Sequence, residues 1–376
     1  MADPIWRHLP VLFACLIVLA VHWSFARWVR TAAARVIMWC ACAWTLASYI
    51  LGLPVVAAAM PGWDWYFWMR GAGVAWGICS LGVFLLWFVW RRIPKPKFHP
   101  ERRRLLLAAK GVVVAAPLTA TGYGVYVARN GLTVREVDLP VRGLPEDLDG
   151  ICIVQLTDIH CSPFLSRRDV ARAVAMANEA KAHVAVVTGD MITTASDNLQ
   201  DCLLELSRLR AEAGVFGCLG NHEIYARATD FADREGARLG VRFLRGAAVR
   251  LRFGAAELNL AGVDYQRMRR PYLTGAERLV APAAFNVLLS HNPDVFPTAA
   301  SKGFDLTLAG HTHGGQITVE ILDQHLSLSR FFTPYVYGLY REGPRSIYVS
   351  RGIGTVGVPA RIGAPPEISL VRLCAT

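Results

Sequence analysis

From about residue 150 onward, short apolar runs alternate with amphipathic ones, and each short run stops at a polar or glycine-bearing string. Ile151–Leu156, Ala182–Val187, Gly214–Leu219, Phe285–Leu289 and Phe304–Ala309 read as buried strands. Thr133–Val141 reads as one more. Ser166 with Asp169 three residues on has the form of a capping box, opening a helix through about Ala180. Leu199, Leu203 and Leu206 repeat at helical spacing from about Asp197. Strand alternating with helix predicts a layered α/β domain whose functional residues gather at strand ends.

The pattern before that is different. Four apolar stretches, about Leu9–Ala26, Val36–Met60, Trp65–Trp90 and Leu105–Val127, each approach the ~20 residues that span a hydrocarbon core. They raise the mean hydropathy to +0.32. Trp63, Trp65, Tyr66, Trp68, Trp87 and Trp90 fit two interfacial belts, and Gly52 and Pro54 are places for the second helix to kink. The fourth stretch holds Lys110 and Pro117 and follows Arg102-Arg103-Arg104-Leu105-Leu106, which resembles a twin-arginine export signal placed internally. It reads as a spanning helix, with an interfacial helix or a cleaved signal as alternatives. The predicted division is a transmembrane region over 1–130 and an α/β domain over 131–376, meeting near Asn130-Gly131.

Five strings follow the predicted strands. They are Asp158-Ile159-His160, Gly189-Asp190, Gly220-Asn221-His222-Glu223, Ser290-His291-Asn292 and Gly310-His311-Thr312-His313. Together they offer seven oxygen or imidazole ligands and one spare histidine, the inventory of a paired divalent-metal site that hydrolyses phosphate esters. In Asp-x-His and His-x-His, alternation along an extended chain is expected to turn both side chains to one side. Gly189 is expected to bring the backbone close enough for Asp190 to bridge two cations. Carboxylate, amide and imidazole donors without a thiol suit Mn²⁺, Fe²⁺ or Zn²⁺ and argue against a structural zinc site.

In that order and wording, D-x-H, G-D, G-N-H-E, H and G-H-x-H resemble the calcineurin-like metallophosphoesterases, and specifically their membrane-anchored or twin-arginine-bearing subgroup. Leu139-Pro140, Leu144-Pro145, Gly310–Gln316 and Ser350–Gly354 support the likeness, which runs from about Thr133 to the C-terminus. The resemblance implies a sandwich of two sheets flanked by helices, behind the N-terminal transmembrane helices. It implies that Asp158, His160 and His313 hold one metal, that Asn221, His291 and His311 hold the other, and that Asp190 bridges them. His222 matches the family's histidine that faces the leaving group and takes no metal. The implied reaction is in-line attack on a phosphomonoester, phosphodiester or pyrophosphate by a hydroxide shared between the two ions.

Charge and cysteine usage add little. The net charge of +11 sits largely in membrane-flanking runs, and no nucleic-acid module is present, so no nucleic-acid partner is expected. Arg267, Arg269 and Arg270 form a basic cluster that reads equally as a phosphate contact or a solvated loop. The nine cysteines lack regular spacing and imply no disulfide framework. Gly352-x-Gly-x-x-Gly357 leads to Pro359 rather than a helix and reads as a turn. His183 is placed at a strand start and His325 in a polar turn, neither as a ligand.

The basic run Arg91, Arg92, Lys95, Lys97 and Arg102–Arg104 places the third connection in the cytoplasm. With four spans, the expected protein sits in the cytoplasmic membrane with its N-terminus and catalytic domain outside. The expected substrate is then a lipid or cell-envelope phosphate. The alternative is a pyrophosphatase of the UDP-2,3-diacylglucosamine type, which requires a cytoplasmic domain. A non-catalytic metal-binding scaffold or sensor is the alternative from another class.

Overall fold

A computed structural model of the protein describes residues 9–51, 64–92, 119, 122–127, 130–266, 271–321 and 324–376. Most of the predicted fourth span lies outside them. So do Gly52, Pro54, Trp63, Lys95, Lys97, the Arg102–Arg104 run and the Arg267, Arg269, Arg270 cluster. The chain divides into two compact units, 1–127 with 357–360, and 128–356 with 361–376.

The first unit contains α1 (Leu9–Ala26), α2 (Ala32–Ile50) and α3 (Asp64–Arg92). The second helix begins four residues before its apolar run, because Thr31 caps it by accepting from the Ala34 amide at 3.3 Å. Trp76 donates to His22 at 3.2 Å, Trp44 donates to the Met69 carbonyl at 3.1 Å, and Trp28 meets Trp87 edge to face. Ala32–Ile50 and Trp68–Val89 are long and apolar enough to cross a membrane. Only 17% and 22% of those windows are buried, whereas a soluble protein's core helix would be mostly buried. From the fourth predicted span, Tyr123–Val127 forms one π-helical turn.

The second unit holds two six-stranded mixed sheets. One contains β1 (Thr133–Val141), β2 (Cys152–Leu156), β3 (Val184–Thr188), β4 (Val215–Cys218), β5 (Val241–Phe243) and β14 (Glu367–Ala375), ordered β1-β14-β2-β3-β4-β5. The other contains β6 (Ala247–Phe253), β7 (Ala256–Gly262), β8 (Phe285–Leu289), β9 (Leu306–Ala309), β12 (Gly338–Glu342) and β13 (Arg345–Val349), ordered β12-β13-β9-β8-β7-β6. A hairpin of β10 (Thr318–Ile321) and β11 (Gln324–Ser327) stands apart from both. His325 therefore lies in a strand, opposite Glu320, and not in a turn.

The sheets face each other across a core in which Ile153, Val184, Val186 and Phe216 meet Leu258, Leu260, Val287 and Leu308. The intervening residues Val154, Ala185 and Val187 face outward, where Val170, Val174 and Leu203 cover them. Those three come from α4 (Arg167–Glu179) and α5 (Leu199–Leu206). A strand buried on both faces reads as a largely apolar run, which is why β2, β3, β8 and β9 are visible in the sequence although each holds one polar residue. Ser166 and Asp169 form the capping box of α4. The parallel strands β2, β3 and β4 of one sheet and β8 and β9 of the other end where the five motif strings begin.

Candidate metal centre

Those strand ends bring the two aspartates and five histidines of the motifs into one largely buried cluster. Ligand atoms of Asp158, His160 and His313 lie within 4.8 Å of one another, as do those of Asp190, His291 and His311. Asp190 stands at the centre. Its Oδ2 is 2.9 Å from His291 Nε2, 3.8 Å from His160 Nε2 and 4.0 Å from His222 Nε2. Asp158 Oδ1 lies 3.3 Å from His313 Nε2 and 4.0 Å from His291 Nε2. The first group holds the three residues that the resemblance assigns to one metal, and the second holds His291 and His311 of the other set together with Asp190.

The local backbone is not the extended chain that spacing alone suggests. Asp158, His160, Asp190, His311 and His313 all have positive φ, between 49° and 75°. Side chains at i and i+2 converge because both residues are left-handed, not because a strand alternates. Such conformations cost of order 1–3 kcal/mol each and persist where surrounding contacts hold them. Asp158 accepts the His311 amide at 3.0 Å and the Thr157 hydroxyl at 2.9 Å. Gly189 has φ +88°, and a Cβ there would lie 2.6 Å from the Gly220 amide nitrogen. At Gly220, a Cβ would lie 2.1 Å from Asp190 Oδ1. Both glycines let two loops close on the Asp190 carboxylate.

Two observations test whether divalent cations fit. Asn221 is buried, and its Oδ1 has no hydrogen-bond partner among the described residues. An orphaned buried acceptor is costly unless something fills its coordination. Moreover, ring nitrogens face each other, His160 Nε2 to His313 Nε2 at 3.1 Å and His311 Nδ1 to His291 Nε2 at 3.2 Å. Imidazole nitrogens crowded in this way around two carboxylates form a donor set that cations satisfy.

The electrostatics agree. Burial pushes His160 down to about 3 and His311 to about 4, and it holds His313 well below the ordinary imidazole value, so these rings are neutral ligands near pH 7. Burial also raises Asp158 to about 6, against the pull of His291. It opposes the charge on Asp190 too, but His291 and its neighbours outweigh that and hold Asp190 far below the usual carboxylate range. His291 is disfavoured by burial yet drawn up to about 10 by Asp190 and Asp158. Its Nδ1 donates to the Thr188 carbonyl at 2.7 Å and keeps Nε2 on the carboxylate side.

His222 opens the short helix α6 (Asn221–Tyr225) with Asn221. Its Nδ1 must donate to the Thr193 carbonyl at 2.6 Å, since a carbonyl only accepts. That leaves Nε2 directed at the cluster. With His160 and Asp190, His222 also makes a third group of metal-competent atoms within 4.8 Å.

Three residues that the motifs did not single out support the cluster. Glu223 is buried and accepts from four backbone amides: Gly220 at 2.8 Å, Asp190 at 3.0 Å, Met191 at 2.7 Å and Ile192 at 3.4 Å. Thr193 holds His222 through its carbonyl and His160 through its hydroxyl, 3.1 Å from Nδ1. Arg361 is fully buried behind His313, its guanidinium donating to the Gly354, Ala364, Arg351 and Gly352 carbonyls. Burial lowers Arg361 to about 10, which leaves it charged. Glu223 lay inside a motif string but was given no role, whereas Thr193 and Arg361 carry no sequence signal. His183, outside the motifs, accepts from the Cys152 amide at 3.0 Å and is structural.

With this geometry established, three relatives and a family profile place the chain. The profile described as Calcineurin-like phosphoesterase matches residues 152–315. The uncharacterized metallophosphoesterase YkuE of Bacillus subtilis is 28% identical over 282 residues, covering 73% of this chain and 98% of that protein. An uncharacterized metallophosphoesterase of Aquifex aeolicus is 30% identical over 254 residues, covering 64% and 92%. A zebrafish transmembrane protein with metallophosphoesterase domain is 30% identical over 269 residues, covering 67% of this chain and 59% of that longer protein.

Proposed function

The chain belongs to the calcineurin-like metallophosphoesterases, a family of metal-dependent phosphoric ester hydrolases, and we propose that it is a membrane-anchored member acting on a lipid or cell-envelope phosphate. The observation that carries this reading is the convergence of Asp158, Asp190 and five motif histidines, with the buried Asn221 Oδ1 left without a partner. In this reading Asp158, His160 and His313 hold one divalent ion, Asn221, His291 and His311 hold a second, and Asp190 serves both. Mn, Fe and Zn suit the donors. When bound, such ions lower the pKa of a shared water and neutralise phosphoryl charge. The chain's own residues do the rest. The imidazoles and the two carboxylates would hold the ions in place, and the Thr193 carbonyl fixes the tautomer of His222. His222 Nε2 then carries the proton that the departing alkoxide takes up.

The anchor in this proposal is the set of apolar helices, supported by their length and by the transmembrane name of a relative. The basic residues after α3 favour a multi-pass arrangement in the cytoplasmic membrane with the catalytic domain outside. A membrane-held enzyme meets its substrate at the bilayer, which favours a phospholipid, a lipid-linked pyrophosphate or an envelope phosphodiester over nucleic acid.

Turnover of a chromogenic phosphodiester by the purified full-length protein, with and without Mn²⁺, tests the chemistry. Activity should require the metal, and Asp190→Asn should lose metal content and activity together. Near-normal metal content and turnover in that variant would refute the ligand assignment. Release of headgroup phosphate from lipids in micelles, with soluble nucleotides left intact, tests the substrate class.

A further inference from the structure

A cavity of about 400 Å³ opens beside His311 and His313. Pro293, Gly315, Phe332 and Val356 contribute to its wall, all within the second unit. Its volume falls in the range of ligand pockets, roughly 300–1,000 Å³.

Apart from Ser329 and the two histidines, the polar side chains in that wall are already hydrogen-bonded to their surroundings. Asn292 donates to the Gln266 carbonyl at 2.8 Å and accepts from the Asp294 amide at 3.0 Å. Asp294 accepts from the Thr333 hydroxyl at 2.5 Å, and Thr312 donates to the Val336 carbonyl at 2.5 Å. Gln316 donates to the Val356 carbonyl at 3.2 Å and accepts from its amide at 3.0 Å. An entering group therefore meets few polar atoms that still need a partner.

Two aromatic rings stand at the same place. Phe332 is 73% exposed although it lines the cavity, and Phe331 beside it is 84% exposed. Phe331 ends and Phe332 follows a 3-10 turn, Leu328–Phe331, and the Phe332 and Thr333 amides both donate back to the Ser329 carbonyl at 3.0 Å. The Thr333 bond to Asp294 ties this turn to the segment that follows His291. Exposed neighbouring aromatics held by a bonded turn mark an interaction site more readily than a folding requirement.

We propose that this cavity is a subsite for one substituent of the phosphoester, and that it selects an unbranched hydrocarbon chain of the kind a lipid carries. The proposal rests on the phosphoesterase reading. A phosphorus held at His311 and His313 has a substituent within reach of the adjoining opening, and the surface there offers apolar contact with little hydrogen-bonding capacity in reserve. Phe332 covers the chain inside the cavity, and Phe331 extends the apolar lip.

The test uses full-length protein in phosphatidylcholine nanodiscs, loaded with Mn²⁺, with empty discs as the blank. Methyl-, propyl-, hexyl- and phenylphosphonate are compared as inhibitors of a chromogenic phosphodiester, and their binding is measured by calorimetry. Each added methylene should tighten binding about two- to fourfold, the upper value being full transfer of a CH₂ from water. Phe332→Ser should flatten that series, and Phe332→Leu should restore it. A flat series in the wild type, or phenylphosphonate binding more tightly than hexylphosphonate, would overturn the hydrocarbon assignment. The calorimetric series does not require turnover. A steep series in an inactive protein refutes the phosphoesterase reading and keeps the subsite, whereas turnover with a flat series does the reverse.

Discussion

Glu223 is the most consequential residue that takes no direct part in the chemistry, and Glu223→Gln tests how the Asp190 loop is held. The two carboxylate oxygens share four amides, Gly220 and Asp190 on one, Met191 and Ile192 on the other. Glutamine keeps one oxygen and turns an NH₂ toward the other pair, whichever way it rotates. Two buried amides then lose their acceptor, at about 1–3 kcal/mol each. Burial pushes the Glu223 carboxyl above its ordinary value, so removing the charge returns part of that cost. The net expectation is a loss of about 2–4 kcal/mol. For a domain of this size each kcal/mol shifts Tm by about 2–4 °C, so the melt should fall by roughly 4–16 °C. The loss is local to the segment holding Asp190 at φ 55°. Metal content should therefore fall with it. Differential scanning fluorimetry of the full-length protein in detergent, paired with elemental analysis, reads both quantities. A variant that melts with the wild type and keeps its metal would show that the Asp190 loop is held by something other than these four bonds.

Three further outcomes are expected. His222→Ala should keep both metals yet slow turnover by roughly 10²–10⁴-fold, less for substrates with good leaving groups; loss of a metal would make His222 a ligand, as its place near Asp190 and His160 allows. Gly189→Ala combines a positive φ with a Cβ 2.6 Å from the Gly220 nitrogen and 2.9 Å from His291 Nδ1; it should lower metal content and melting temperature together, and a variant with wild-type metal content and melting would refute the close approach. A C-terminal alkaline phosphatase fusion should be active and a Sec-exported green fluorescent protein fusion dark; the reverse pattern would mean that Leu105–Val127 does not cross and that the domain is cytoplasmic.

The sequence by itself determined six of the strands, the cap of α4 and the motif strings that follow the strands, each for a local reason. β2, β3, β8 and β9 are almost wholly buried on both faces, so each is mostly apolar with a single polar residue. Ser166 and Asp169 lie three residues apart on one turn, so their reciprocal bonds need nothing distant. The eight motif residues were legible because metal chemistry restricts which side chains can serve.

Tertiary structure decided what depends on residues far apart in the chain. The C-terminal strand β14 enters the first sheet between β1 and β2, parallel to one and antiparallel to the other, a choice among long-range pairings that no local pattern encodes. The left-handed turns at Asp158, His160, Asp190, His311 and His313 follow from contacts between loops, so spacing suggested an alternation that the backbone does not use. Thr193, Arg361 and the Phe332 cavity acquire meaning only once β3, β9 and the segment after β13 meet. A side chain's identity is written at its own position, but its partners, and with them its burial, charge and role, are set by which distant strands end beside it.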